Sequence, residues 1–153
     1  MRRFEKEITD HRLIEEILLN SPLCRLGLVD GPEAYIVPMN YGYHNGSLWF
    51  HSAPQGRKME LIRKNSRATF EITQNEEVMK GKMACDWTSR YRSVMGSGNV
   101  EIIEDKEAKR AGLDVIMRKY GATGELVYRD SSLEKMVIPK LQIDYLSAKQ
   151  SES

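Results

Sequence analysis

The stretch "AYIVPMNYGYHNGSLWFHSA", residues 34–53, decides the fold. Two runs rich in β-branched and aromatic residues flank Asn45-Gly46, a dipeptide that readily adopts the positive φ angles of a tight hairpin turn. Pro38 lies inside the first run and cannot donate a ladder hydrogen bond, so we predict that the strand is interrupted or bulged there. Bulges often lie beside binding sites, and this one would expose the backbone of Met39 and Asn40.

The remaining chain predicts about six strands and three helices, with hairpins predominating. Because no strand–helix–strand rhythm repeats, the pattern indicates an α+β fold built on an antiparallel barrel or sheet rather than a doubly wound fold. The predicted helices lie within residues 1–22, 56–65 and 105–121, and the other predicted strands lie within residues 24–30, 67–73, 89–104 and 136–150. A loop is expected over residues 74–86 and a frayed tail over residues 148–153.

Size and composition favour one domain, residues 1–153, that folds around its own core. The net charge of +1 gives no reason to expect nucleic acid or an anionic membrane as a partner. No apolar run reaches the length of a membrane span, and the N-terminus lacks the apolar core of a secretory signal. Cys24 and Cys85 are far apart and the three histidines are dispersed, so we expect a cytoplasmic protein with no metal site.

Two cations stand at the start of the second predicted helix, in "GRKMELIRKN". Arg57 and Lys58 occupy a helix end that is already electropositive, where acidic residues are normally favoured. A bound phosphate would resolve this conflict, because free helix amides and basic side chains together form an anion site. The alternative is that both side chains simply extend into water.

The residues before this helix suggest what kind of phosphate it holds. His51, Ser52 and Ala53 end the strand that leads to the helix, so a ligand bound at Arg57 and Lys58 would run back along them. This arrangement suits a long ligand with a flat polar ring at one end and a phosphate at the other. The chain has no glycine fingerprint of the kind that binds dinucleotides, so a mononucleotide such as FMN fits better.

Three segments carry a family resemblance in this order: "VPMNYGYHNGSLWFHSA", "GRKMELIRKNSRATFEI" and "RYRSVMGSGNVEII". Together they resemble the FMN-binding split-barrel superfamily of pyridoxamine 5′-phosphate oxidase, and within it the nitroimidazole-resistance family. The resemblance implies an antiparallel split β-barrel with flanking helices. It also implies a homodimer with FMN in the clefts between the two barrels. Gly56 replaces the serine of the phosphate-binding Ser-Arg-Lys segment found in the oxidase relatives.

The resemblance also implies individual roles for the site residues. Arg57 and Lys58 would bind the FMN phosphate, and Ser52 and Ala53 would flank the ribityl chain. The flavin ring edge would be lined by Pro38, Met39, Asn40 and Tyr41, while Tyr91, Arg92 and Ser93 would approach from the partner subunit.

His51 is the candidate catalytic residue. In the resembling family the corresponding histidine lies close to the flavin, and an imidazole can deliver a proton near neutral pH. The alternative is a histidine that only hydrogen-bonds the ring or neighbouring backbone.

The resemblance favours an FMN-dependent reductase that takes electrons from NAD(P)H and passes them to a small acceptor such as a nitroaromatic. Two alternatives remain open. One is a carrier or sensor without turnover, which could bind flavin or haem; haem and deazaflavin users are known among split-barrel relatives. The other is pyridoxamine 5′-phosphate oxidase itself, which is disfavoured because the chain lacks the arginine-rich C-terminal substrate segment expected of that enzyme.

Overall fold

The computed structural model describes residues 4–151, which form one antiparallel sheet with helices. Seven strands are found in this range, rather than the six expected, and their order in the sheet is β2-β1-β5-β6-β7-β4-β3. The strands are β1 Cys24–Asp30, β2 Glu33–Met39, β3 Gly42–His44, β4 Ser47–Trp49, β5 Arg67–Met79, β6 Thr88–Ile103 and β7 Ile138–Ser151.

The sheet curls around a common core but is not closed into a barrel. Strands β2 and β3 are its two edges. Nevertheless, Leu26 of β1 and Leu48 of β4 belong to the same buried cluster, although their strands are far apart in the sheet order. The α+β class is therefore confirmed, and the predicted barrel is an open, wrapped sheet.

The hairpin at Asn45-Gly46 is confirmed. These two residues have φ angles of 47° and 70°, and they connect β3 to β4. The predicted break at Pro38 is wrong, because Pro38 pairs with Arg25 inside an uninterrupted β1–β2 ladder. A proline is tolerated there because β2 is an edge strand with only one neighbour.

Four α-helices are present in the part of the chain that the structure describes: α1 His11–Asn20, α2 Arg57–Lys64, α3 Lys106–Lys119 and α4 Asp130–Glu134. Asp10 caps α1 by accepting a hydrogen bond from the Arg12 backbone N–H at 2.9 Å. Asp105 caps α3 in the same way through the Ala108 N–H, also at 2.9 Å. None of the helices within residues 4–151 has the length and apolar character needed to cross a membrane.

Three predicted boundaries need correction. The first part of the loop expected over residues 74–86 is strand, because β5 continues to Met79 and pairs with β6 across a register shift. Residues 148–151 are not frayed, since β7 extends to Ser151 opposite Tyr91; residues 152 and 153 lie outside the described range. The first helix begins only at His11, after a short 3₁₀ turn, and residues 1–3 are likewise outside the described range.

The far ends of β5 and β6 form a two-stranded ribbon. Within the described residues, the segments 77–79 and 88–90 pair with each other and have no third strand beside them. The connecting turn carries Cys85, which is exposed, whereas Cys24 is wholly buried in the core. Burial raises the pKa of the Cys24 thiol well above its ordinary value.

Candidate functional site

The start of α2 is an uncapped helix end. Gly56 stands at the N-cap with a φ of 110°, a left-handed conformation that favours glycine, and it offers no side-chain cap. Among the described residues, no atom lies within 4 Å of a Cβ built on Gly56, so the space beside this glycine is open. The first amide groups of α2 therefore remain available to an anion.

Lys58 is the more enclosed of the two cations. It is half-buried, and its Nζ lies 3.4 Å from the Met39 sulfur, a weak hydrogen-bond acceptor. Burial lowers the pKa of Lys58, because a low-dielectric environment disfavours its charged form. Among residues 4–151, no carboxylate forms an ion pair with Lys58 that would compensate for this burial.

Arg57 is exposed and shares an ion pair with Asp30, the last residue of β1. Its Nε donates to Asp30 Oδ2 at 3.2 Å, and Nη2 contacts Oδ1 of the same carboxylate. Glu60, one turn further along α2, lies 3.8 Å from Nη1. Hydrogen bonding to the guanidinium holds the pKa of Asp30 below its ordinary value.

His51 points away from the core because of strand alternation. Phe50 donates its N–H to Pro139 O at 2.9 Å, and Ser52 exchanges two backbone hydrogen bonds with Val137 at 3.0 and 2.9 Å. Phe50 and Ser52 are buried, whereas His51 and Ala53 are exposed. The Ser52 hydroxyl donates to Ala53 O at 3.0 Å, so both the backbone and the side chain of Ser52 are engaged within the chain.

The four residues predicted at the flavin ring edge divide into two groups. Pro38 and Asn40 are exposed and can face a ligand, whereas Met39 is buried and turns its sulfur toward Lys58. Tyr41 is 0% exposed. Its hydroxyl donates to Leu18 O at 2.7 Å, and its N–H donates to Tyr120 Oη at 3.2 Å. The Tyr41 side chain is therefore enclosed within the chain, and its contact with the flavin ring edge stays a prediction.

Tyr91 and Ser93 lie on the outer face of the sheet, which is the face turned away from the buried core. They line a cavity of about 360 Å³ that also includes Met95 and Lys149. Ser93 is buried, and its hydroxyl has no hydrogen-bond partner in the described structure. Arg92 lines a neighbouring cavity of about 360 Å³ with Tyr91.

Within one chain, the predicted site residues near α2 lie together, whereas Tyr91 and Ser93 lie apart from them. Met39 and Lys58 are in contact, and Ala53 lies a few residues before α2. The buried residues of α2 belong to the inner core, whereas Tyr91 and Ser93 line a cavity on the opposite face of the sheet. One chain therefore does not place the two groups around a single ligand.

Sequence reasoning missed two residues near this helix. Asp30 pairs with Arg57, which lies 27 residues later in the chain. In the sequence, Asp30 appears only as part of an Asp-Gly-Pro turn. Arg63 donates from Nη2 to Pro54 O at 2.7 Å and holds the segment that leads into α2. No local pattern connects these partners, because both contacts depend on how the chain folds back.

The residues around the start of α2 fit a phosphate group. The open helix end supplies directional N–H donors, and Lys58 supplies a charge that burial leaves poorly compensated. We name Gly56, Arg57 and Lys58 the phosphate cradle. Elsewhere among residues 4–151, no three His, Cys, Asp or Glu side chains are grouped so that they could hold a metal ion.

The wrapped antiparallel sheet with its flanking helices defines a protein of the split-barrel class. The family model described as pyridoxamine 5′-phosphate oxidase matches residues 10–150. The chain therefore belongs to the pyridoxamine 5′-phosphate oxidase family. This result confirms the family resemblance identified from the sequence.

Solved structures agree with this assignment. A protein from Bacteroides thetaiotaomicron, for which a role in 5-nitroimidazole antibiotic resistance has been suggested, is 34% identical. The match covers 94% of this chain and 86% of that one, with a TM-score of 0.83. An FAD- and haem-binding protein from Mycobacterium smegmatis is 25% identical over 97% of this chain and 74% of that one, with a TM-score of 0.86.

A flavocytochrome from Azotobacter vinelandii shares the fold alone. It is 17% identical, with a TM-score of 0.83 over 100% of this chain and 72% of that one. No curated protein sequence matches the chain significantly.

Proposed function

We propose that this protein binds FMN and uses electrons from NAD(P)H to reduce a small acceptor, such as a 5-nitroimidazole. The observation that carries the proposal is Lys58, a half-buried cation beside an uncapped helix end. Charge compensation by a phosphate would restore the charged form that burial disfavours. The 34% identical relative with a suggested role in nitroimidazole resistance supports the choice of acceptor.

Each part of the site has a distinct task in this proposal. Lys58 Nζ and the first amides of α2 hold the phosphate, and Arg57 contributes the guanidinium edge that Asp30 leaves free. Ala53 and the Ser52 backbone border the chain between phosphate and ring, and Pro38 and Asn40 border the ring. When bound, FMN supplies the hydride and electron chemistry, for which side chains alone are unsuited.

The exposure of His51 supports a role for it in proton transfer during this reaction. Its imidazole is exposed, and strand alternation keeps it on the side opposite the buried Phe50 and Ser52. A neutral imidazole can accept a proton at one ring nitrogen and donate from the other. We assign His51 the delivery of a proton to the reduced acceptor.

The proposed working form is a homodimer. Ile36, Met95 and Tyr145 are exposed on the outer face, where the strand register places them on the same side of the sheet. A second copy covering this face would bury them and bring Tyr91, Arg92 and Ser93 toward a neighbouring phosphate cradle. This arrangement would complete the site that one chain leaves divided.

The absorption spectrum of the purified protein tests the cofactor. Flavin bands are expected, with FMN released on denaturation, and NADH or NADPH should bleach them under anaerobic conditions. A nitroimidazole should then restore the oxidised spectrum. A colourless protein that cannot be loaded with FMN would overturn the proposal, and flavin that neither nucleotide bleaches would remove the reductase activity.

A carrier or sensor without turnover is the second candidate. It is favoured by the relative from Mycobacterium smegmatis, which is described as binding both FAD and haem. A Soret band in the same spectrum would indicate haem and support this candidate.

A further inference from the structure

We propose that a gap along the edge of β7, on the side opposite β6, is a binding site for a small α-amino amide. Such a molecule carries a protonated amine next to an amide group. The site lies between α1 and β7 and uses neither the phosphate cradle nor a flavin. The inference therefore does not depend on the proposed function.

Two different segments pair with this edge of β7 and leave a gap between them. At one end of the gap, the Ile143 N–H donates to Gly46 O of the β3–β4 turn at 3.0 Å. At the other end, the Ile8 N–H donates to Ala148 O, also at 3.0 Å. Within the described part of the chain, no strand or bridge pairs with this edge between those two points. We name residues Asp144–Ser147 the edge gap.

The backbone of Leu146 faces the edge gap. Backbone groups two residues apart on a strand point to the same side, so the Leu146 N–H and C=O share the direction of the Ala148 carbonyl. Asp144 is the extra residue at the register shift between β6 and β7, which explains how Ile143 and Leu146 can both face this side. An unpaired strand edge is a template for a ligand that carries its own amide.

The edge gap opens into a cavity of about 550 Å³, a size typical of small-molecule sites. Ile14 and Leu18 of α1 are buried core residues and form part of its wall. Tyr43 of β3 lines another side and is half-buried. A ligand whose amide lies at the Leu146 backbone would therefore have apolar surface beside it for a hydrocarbon group.

The charge in this cavity favours a cation. Glu15 of α1 lines it, and no lysine or arginine is among the described residues that do. None of the ion pairs formed within residues 4–151 includes Glu15. Burial and, after it, the negative charge of Glu15 raise the pKa of the Tyr43 hydroxyl. Glu7 also lines the cavity, but Lys149 lies opposite it, so we assign the ligand amine to Glu15.

These features together match an α-amino amide. Its amide offers one N–H and one C=O, which complement the C=O and N–H of Leu146. Its ammonium group provides a charge-assisted partner for Glu15. A hydrocarbon side chain on the same molecule would pack against Ile14 and Leu18. A free amino acid fits less well, because its carboxylate would be repelled by Glu15.

The test uses leucinamide, which carries all three groups, and N-acetyl-leucinamide, which lacks the charge. Both are titrated into ¹⁵N-labelled full-length protein as purified. At about pH 7, His11 of the cavity wall is mostly neutral and the probe amine mostly protonated. We expect leucinamide to shift the Leu146 amide resonance saturably and to slow its hydrogen exchange, which should be faster than that of Ile143 without probe. N-acetyl-leucinamide should bind about fivefold more weakly.

Glu15→Gln separates this site from general surface binding. It should weaken leucinamide binding about fivefold and leave the binding of N-acetyl-leucinamide unchanged. Glu16→Gln is the matched control, because it removes another exposed carboxylate of α1 that does not line the cavity. Both probes should bind this control as they bind wild type.

Three results would overturn the inference. The first is the absence of a saturable shift at Leu146 with leucinamide. The second is equal weakening of both probes in Glu15→Gln. The third is a Leu146 amide that is already protected from exchange without any probe, because another part of the assembly would then cover the edge gap.

Discussion

The phosphate cradle and the Tyr91–Ser93 segment differ in whether one chain alone can form that part of the proposed site. The cradle is assembled locally, because Gly56, Arg57 and Lys58 are consecutive and α2 fixes their direction. Tyr91 and Ser93 instead line a cavity on the outer face, with a buried hydroxyl that has no partner in the described structure. A short sequence motif can therefore define the first region, but the second depends on what covers the sheet.

Removing both cations of the cradle is the strongest test of this difference between the two regions. Arg57→Ala/Lys58→Ala should raise the FMN dissociation constant about a thousandfold, because charge-assisted contacts to the phosphate are lost. Flavin fluorescence titration measures the effect, and circular dichroism checks that the fold is retained. The control Arg12→Ala/Lys64→Ala removes the same charge from two exposed positions and should bind FMN normally. Unchanged affinity in the cradle variant would place the phosphate elsewhere.

His51, which precedes the cradle in the chain, should affect the rate of turnover rather than the affinity for FMN. His51→Ala is expected to retain FMN while slowing acceptor reduction about a hundredfold, since proton delivery is lost. Stopped-flow reoxidation of the reduced flavin separates this step from reduction by NAD(P)H. His44→Ala, at the exposed β3–β4 turn, should behave like wild type. If His51→Ala reoxidises at the wild-type rate, His51 has no catalytic role.

The outer face can be tested independently of the cradle. Met95→Glu/Tyr145→Glu places charge on an exposed apolar surface and should yield monomers in sedimentation experiments. FMN affinity should then fall about tenfold, because Tyr91–Ser93 of a second copy no longer completes the site. Met117→Glu/Val127→Glu alters two exposed apolar side chains elsewhere and should leave both properties unchanged. Monomers that bind FMN at wild-type strength would show that the cradle is sufficient alone.

The smallest expected effect is a pH dependence of binding. Burial lowers the pKa of Lys58 in the free protein, and a bound phosphate should raise it again. FMN affinity is therefore greatest below the lowered pKa and falls by about a few-fold as pH rises through it. Lys58→Met should lose this alkaline decline in a fluorescence titration. A decline of equal size in that variant would assign it to the flavin or another group.

Local sequence patterns predicted most of the strands and helices. They did not show which strands lie next to each other in the sheet. Asn45-Gly46 specifies its turn through its own backbone preferences, so the β3–β4 hairpin was predictable. The break predicted at Pro38 was wrong because the free-energy cost of a proline in a strand depends on whether that strand has one neighbouring strand or two, and β2 has one. The continuation of β5 to Met79 depends similarly on pairing with β6, which compensates for a weak strand pattern.

The candidate site was predictable only in part, for the same reason. Arg57 and Lys58 stood out because two cations at a helix start conflict with the helix dipole. The enclosure of Tyr41 was not predicted, because the sequence does not show that α1 and Tyr120 contact it. The pairing of Asp30 with Arg57 joins the end of β1 to α2, and such long-range contacts have no short sequence signature.

The two cysteines make the β5–β6 ribbon a convenient place for a spectroscopic reporter. A maleimide dye needs a reachable thiol, which the exposed Cys85 offers at the turn, whereas Cys24 is buried in the core, where burial also raises the pKa of its thiol. The native sequence thus accepts a single fluorophore or spin label without engineering. Measured between two labelled copies, the separation of these probes would map how one ribbon lies relative to the other.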